Sequence, residues 1–239
     1  SLAWLAYVPY EQAMKLRLSS SERLVDLGGI AELKGIKLAG ADVVIGAMTT
    51  HAAVAASPEV KKAIPALAEL AGGIGDPMVR NMGTLGGSIA NADPAADYPA
   101  GVVGLNATVK TNKRSIAADD FFKGLYETAL EPGELITAVS FPTPQRAAYV
   151  KYKQPASRFA LVGVFVAQTA GGVRVAVTGA AGSVFRCKPL EDALAKSFTP
   201  EAAKAVKVSA AGLNADLHGS AAYRAAMISV MASRAVAAA

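Results

Sequence analysis

The residues from Arg80 to Asp97 carry the densest chemical signal in this chain of 239 residues. Gly83, Gly86 and Gly87 stand with the hydroxyls of Thr84 and Ser88 around the apolar step at Leu85, and the carboxylates of Asp93 and Asp97 follow. Glycine has no Cβ, so a backbone of this composition can turn sharply and come close to a ligand. Successive N–H groups facing one concavity form an anion nest, which takes a phosphate without a metal or a Walker lysine. The carboxylates suit a neighbouring ribose, because its hydroxyls donate and an ionised aspartate only accepts. The segment reads as a nucleotide cradle rather than a plain tight turn. On this reading Gly86→Val blocks backbone approach to the phosphates and strips the nucleotide without unfolding the chain.

Other chemistries find little support. Gly86-Gly87-Ser88-Ile89-Ala90 lacks the final glycine of a nucleophile elbow, which removes hydrolase chemistry. The chain has no GxxxxGK[ST] and no GxGxxG after a strand, so neither P-loop nor Rossmann binding is indicated. His51 and His218 lie far apart with no HExxH, and His51 is expected to pack at a helix start. The lone Cys187 cannot close an internal disulfide or by itself hold an iron–sulfur cluster or zinc, and it agrees with a reducing, cytoplasmic setting. No residue is assigned as a general acid, a base or a metal ligand. Asp119-Asp120 reads as a helix cap.

The elements that must position the cradle follow from periodicity. Alternation predicts strands at Met14–Leu18, Arg23–Leu27, Asp42–Ala47, Ala107–Thr111, Leu135–Phe141 and Tyr149–Lys153. Leu161–Ala167 and Val173–Thr178 flank Gly171-Gly172 and read as a hairpin. Helices are expected after Thr50, from Pro58 through Leu70 to Gly72-Gly73, at Leu190–Ser197, from Pro200, and from Ser220 onward. Pro94 and Pro99 mark further helix starts, with Asp93 or Asp97 as caps. Pro142-Thr143-Pro144 is the expected boundary between a domain at 1–142 and a second at 146–239.

Composition sets the outer limits. Apolar residues make up 52% and charged residues 18%, which describes a globular chain. A mean hydropathy of +0.32 hints at surface buried by partner subunits. No apolar run reaches membrane-spanning length, and Ser1–Tyr7 has none of the basic residues a signal peptide needs. The net charge of +5 comes from scattered residues, which argues against nucleic acid and suits an anionic dinucleotide.

The glycine segment resembles the second flavin-binding motif of the FAD subunit in the molybdenum hydroxylases, the family of xanthine dehydrogenase and carbon monoxide dehydrogenase. The resemblance extends in family order through Met14–Leu18, Ile45–His51, Phe121–Thr128, Lys151–Arg158, Asp216–His218 and Tyr223-Arg224. It implies an α+β fold: a mixed-sheet FAD-binding domain, then a small antiparallel sheet with helices. It implies that Gly83, Thr84, Leu85, Gly86 and Gly87 hold the FAD pyrophosphate, with Ser88 and Asn91 as secondary contacts and Asp97 near the ribose or adenine. It places Leu135 and Ile136 against the flavin ring, and Lys153 beside it. The implied function is electron transfer. Electrons leave a molybdopterin cofactor on a large subunit, cross [2Fe–2S] clusters on a small one, and pass through FAD here to an external acceptor. The implied assembly is a heterotrimer or a dimer of heterotrimers. One departure stands out: the family's Ala-Gly-Gly-x-Ser segment falls where this chain reads Ala6–Ala13, without a glycine before Gly28. Two alternatives follow, an incomplete chain with a truncated N-terminal subdomain or weakened FAD binding. The second leads to a rival reading, a flavin-free subunit that only scaffolds the complex.

Overall fold

Alternating apolar residues and glycine turns build two sheets, and the computed structural model describes them over residues 25–239. Met14–Leu18 and Ala6–Ala13 lie outside the described residues, and Val25–Leu27 carry no regular structure. Strands β1 (Ile36–Ala39) and β2 (Asp42–Gly46) join at Gly40, whose φ of 64° is the left-handed conformation that glycine adopts without strain. They pair with β3 (Thr108–Thr111), β4 (Ser115–Ala117) and β7 (Ile136–Pro142) in the order β1-β2-β7-β3-β4. Every pairing in this five-stranded sheet is antiparallel. Short strands β5 (Phe122–Gly124) and β6 (Glu127–Thr128), which the periodicity does not predict, make a separate pair.

The second sheet holds β8 (Arg146–Lys153), β9 (Ala160–Thr169), β10 (Gly172–Thr178) and β11 (Phe185–Arg186), in the order β11-β10-β9-β8. The expected hairpin at Gly171-Gly172 joins β9 to β10, and Gly172 has a φ of 106°. This sheet is covered on both faces. Val162, Val164 and Val166 of β9 enter one core, while Phe165 and Ala167 enter the other. That period of two is what a strand imposes on its side chains.

Helices fill both sides. α1 (His51–Ala56), α2 (Pro58–Ala63), α3 (Pro65–Gly72) and α6 (Tyr98–Gly104) occupy the core shared with the five-stranded sheet. α8 (Lys188–Lys196), α9 (Pro200–Ala205) and the long α10 (Ala221–Ala238) back the other face. The single helix expected from Pro58 to Gly72-Gly73 is two helices. Pro65 forbids the α region at the residue before it, so Ile64 sits at φ −141°, ψ 71° and the axis breaks there.

Asp119 is another correction. It lies within α7 (Ala118–Phe121), whose N-cap is Ala117, and it pairs with Arg174 of β10 and Arg186 of β11 instead of capping. Arg174 Nε also donates to Val103 O at 2.9 Å, and Arg186 continues to the buried Glu191 at 2.8 Å. These charges bind the first half of the chain to the second. No helix among the described residues is long and apolar enough to cross a membrane.

Candidate cofactor site

The glycine segment is helical rather than an open loop. Asp76 caps α4 (Pro77–Met82) by accepting from Val79 N at 2.9 Å, and Gly83 ends that helix. Thr84 then caps α5 (Leu85–Asn91), its hydroxyl accepting from Gly87 N at 3.2 Å. Helix caps of this kind satisfy the N–H groups that a first turn leaves unpaired.

The segment is pinned against the turn after β2. His51 N donates to Gly83 O at 3.0 Å, and Leu85 N donates to Thr49 O at 3.1 Å, which makes an antiparallel bridge between Thr50 and Thr84. Gly86 N donates to Ala47 O at 2.8 Å, and Gly83 N to Val79 O at 2.8 Å. The amides of Gly83, Leu85, Gly86 and Gly87 are therefore spent within the protein. The amide of Thr84 has no partner among the described residues. A nest of successive N–H groups is thus reduced to one donor without a partner among the described residues.

The glycines are needed for close approach, and neither Gly83 nor Gly86 has a positive φ. A Cβ on Gly86 would stand 2.6 Å from Ala47 Cβ and 2.8 Å from Ala47 O. One on Gly83 would stand 2.5 Å from His51 Nε2. Gly86→Val therefore drives atoms into a packed core, and the expectation that it strips the nucleotide without harming the fold is corrected on that ground.

Asp97 is buried, and both carboxylate oxygens are engaged. Tyr149 OH donates to Oδ1, and Lys151 Nζ meets Oδ2 at 2.8 Å. Lys151 and Asp97 are 4% and 5% exposed, so this is a desolvated ion pair. Burial pushes the Asp97 carboxyl up and Lys151 pulls it back. Burial and the neighbouring carboxylate raise the Tyr149 hydroxyl well above its usual range, so it stays a donor. Asp97 thus sits in an internal pair, and it makes no side-chain cap for α6. Asp93 instead accepts from Ala95 N at 2.9 Å in a local turn.

Tyr149 and Lys151 are spaced by two on β8 and share a face, and Lys153 follows two residues on, past a shift in the pairing with β9. Lys153 is exposed at the strand end, close enough to pull on the Asp97 carboxyl. Ile136 is buried at the start of β7 in the other sheet. Beside the end of β8 opens a cavity of about 290 Å³, lined among others by Asp93, Gln154, Phe159, Asp216, His218 and Arg224. Arg224 anchors it: Nη1 donates to Leu161 O at 2.7 Å and Gly179 O at 2.9 Å, and Nη2 meets Asp216 at 2.7 Å. Gln154 Nε2 lies 3.2 Å from His218 Nδ1. Three segments distant in sequence thus meet at one cavity. Sequence reasoning passed over Tyr149 and Lys151 as site residues, although their spacing from Lys153 was readable. Among the described residues no group of three or more His, Cys, Asp or Glu side chains is placed to hold a metal ion.

A family model described as the FAD binding domain in molybdopterin dehydrogenase matches residues 10–144. The chain is 37% identical to the carbon monoxide dehydrogenase medium chain of Hydrogenophaga pseudoflava, over 93% of this chain and 83% of that one. It is 35% identical to the nicotine 6-hydroxylase medium subunit of Paenarthrobacter nicotinovorans, over 93% and 84%. The fold matches a solved carbon monoxide dehydrogenase from Hydrogenophaga pseudoflava lacking the Mo-pyranopterin moiety, with a TM-score of 0.85, 36% identity, and 97% of this chain and 86% of that chain covered. It matches quinoline 2-oxidoreductase from Pseudomonas putida 86 with a TM-score of 0.85 at 29% identity, over 97% and 86%.

Proposed function

Because this chain belongs to the FAD-binding medium subunits of the molybdenum hydroxylase family, we propose that electrons from [2Fe–2S] clusters on a small partner subunit pass through its FAD to an external acceptor. Those electrons come from a substrate oxidised at a molybdopterin cofactor on a large partner subunit, in a cytoplasmic heterotrimer or dimer of heterotrimers. The chain is an FAD-dependent oxidoreductase subunit, and its relatives include medium chains of multi-subunit enzymes.

The residues present fit the cofactor through what they leave unspent. Thr84 N–H, with Ser88 and Asn91, faces the diphosphate. Gly83, Leu85, Gly86 and Gly87 set the backbone close enough for that contact, and Ile136 packs against the ring. Asp97 acts from behind, holding Lys151 and Tyr149 in place, and Lys153 supplies the cation beside the ring. The bound isoalloxazine supplies the redox chemistry, while the protein orients it and tunes its electrostatics. A domain boundary at Pro142–Pro144 belongs to the same proposal.

The observation that carries this reading is the meeting of Asp93, Gln154, His218 and Arg224 at one cavity, with Lys153 preceding Gln154 in the chain. An absorbance spectrum of the purified complex tests it. One FAD released per copy of this chain on denaturation supports the proposal. A complex free of flavin overturns it in favour of the scaffolding subunit.

A further inference from the structure

We propose that His51 is the positioning residue of the glycine segment: its imidazole occupies the place of the Cβ that Gly83 lacks and so holds the Gly83–Thr84 peptide with the Thr84 N–H turned toward the cofactor. The inference rests on the proposed placement of the diphosphate at Thr84.

One residue grips Gly83 from two directions. The His51 main chain donates to Gly83 O at 3.0 Å, and the His51 side chain packs against Gly83, with Nε2 2.5 Å and Cδ2 2.9 Å from where a Cβ would stand. The bond from Leu85 N to Thr49 O closes the bridge on the other side. In an antiparallel bridge flanked by such a pair of bonds, the central residues point their own N–H and C=O away from each other. Thr84 O then accepts from Ser88 N at 3.0 Å, and the Thr84 N–H is left facing away from Thr50. The orientation of that donor is fixed by how closely the two segments approach, and His51 sets the distance.

The imidazole does this at a cost. It is 3% exposed, packs at 5.2 Å on the Tyr98 ring, and leaves Nδ1 buried without a hydrogen-bond partner among the described residues. An unpartnered buried polar atom costs on the order of 1–3 kcal/mol. Burial first, then the Arg80 guanidinium, push the ring down to about 4, so it stays neutral and adds no charge behind the phosphates. A flat, neutral ring suits a slot one methyl group deep beside a glycine.

The test is a double-mutant cycle in the flavin-stripped complex, read by FAD affinity, by the melting temperature without FAD, and by hydrogen exchange of the peptide carrying Gly83 and Thr84. His51→Ala and Gly83→Ala should each weaken FAD binding roughly 10- to 100-fold, the range seen when a group that orients a ligand-binding residue is lost. Combining the two should recover most of the affinity, because the new methyl enters the space the ring vacates. His51→Gln, which keeps a flat polar side chain, should bind within a few-fold of the parent and covers the case in which the alanine variants do not fold. Variants that bind FAD as tightly as the parent, or losses that simply add in the double variant, overturn the role of His51. If FAD binds the parent without slowing exchange at Gly83–Thr84, the placement of the diphosphate fails first, and the two failures are distinguishable.

Discussion

Between Gly83 and Asn91 the residues that look chemical are spent on packing, whereas on β8 two ordinary-looking lysines, Lys151 and Lys153, bring charge to a buried carboxylate. The glycine segment offers five amides, and four are bonded within the protein. Its glycines bring α5 against Ala47 and His51. On β8, Tyr149 and Lys151 enclose a buried carboxylate, and Lys153 lies beyond them at the surface. A glycine-rich stretch therefore marks where backbones must touch, and the ligand contacts left to it are few. Of two lysines spaced by two, burial decides which is structural.

The largest test of that contrast is Lys151→Met. It leaves the Asp97 carboxylate buried without its cation, which typically costs about 3–5 kcal/mol. The melting temperature should fall steeply, and Asp97→Asn in the same chain should restore much of it, because the pair is removed together. If Lys151→Met is neutral, β8 carries no essential charge and the contrast collapses.

Acid should act on the glycine side through His51. Its folded-state value, near 4, lies below the ordinary 6.5, so the unfolded chain takes up the proton first as pH falls. Stability is then lost between pH 6.5 and about 4, by about 3 kcal/mol at most, and not above that window. Denaturation across this range should be flatter for His51→Gln than for the parent. Identical slopes would mean that the imidazole is not held neutral behind Gly83. A smaller effect is expected of Gly86→Val. Overpacking against Ala47 costs about 1–3 kcal/mol, so FAD loss should track the drop in melting temperature. Flavin loss with an unchanged melting temperature would return Gly86 to direct ligand contact.

The family was legible in the sequence because several short segments occur in the right order, and the family match and the structural relatives bear it out. The strands were legible wherever apolar residues alternate, as in β9, and so were the helices opened by Thr50, Thr199 and Ser220, whose hydroxyls cap them. The break at Pro65 was written in the chain but overridden by the apolar spacing of Ile64, Leu67 and Leu70. The helix through Leu85–Asn91 was hidden because glycine propensity speaks against it, and tertiary bonds to Ala47 and Thr49 decide otherwise. The partners of Asp97 lie more than fifty residues away, which no local pattern reveals.

The finest test separates the two lysines of β8. Lys153 is exposed and forms no ion pair among the described residues, so Lys153→Met should change stability by less than about 0.5 kcal/mol. On the proposed placement of the flavin, its effect is on the cofactor. A cation near the flavin ring favours negative charge there, and removing it should lower the midpoint potential of the bound flavin by about 30 mV for each tenfold loss in preference for the reduced form, if two electrons are transferred. Spectroelectrochemical titration of the purified complex reads this directly. A potential that stays put in Lys153→Met, with FAD still bound, would place the ring away from the end of β8 and leave Lys153 as a solvated side chain. A shift in Lys153→Met without destabilisation, set against destabilisation in Lys151→Met, would divide this stretch of β8 into a tuning end and a structural end two residues apart.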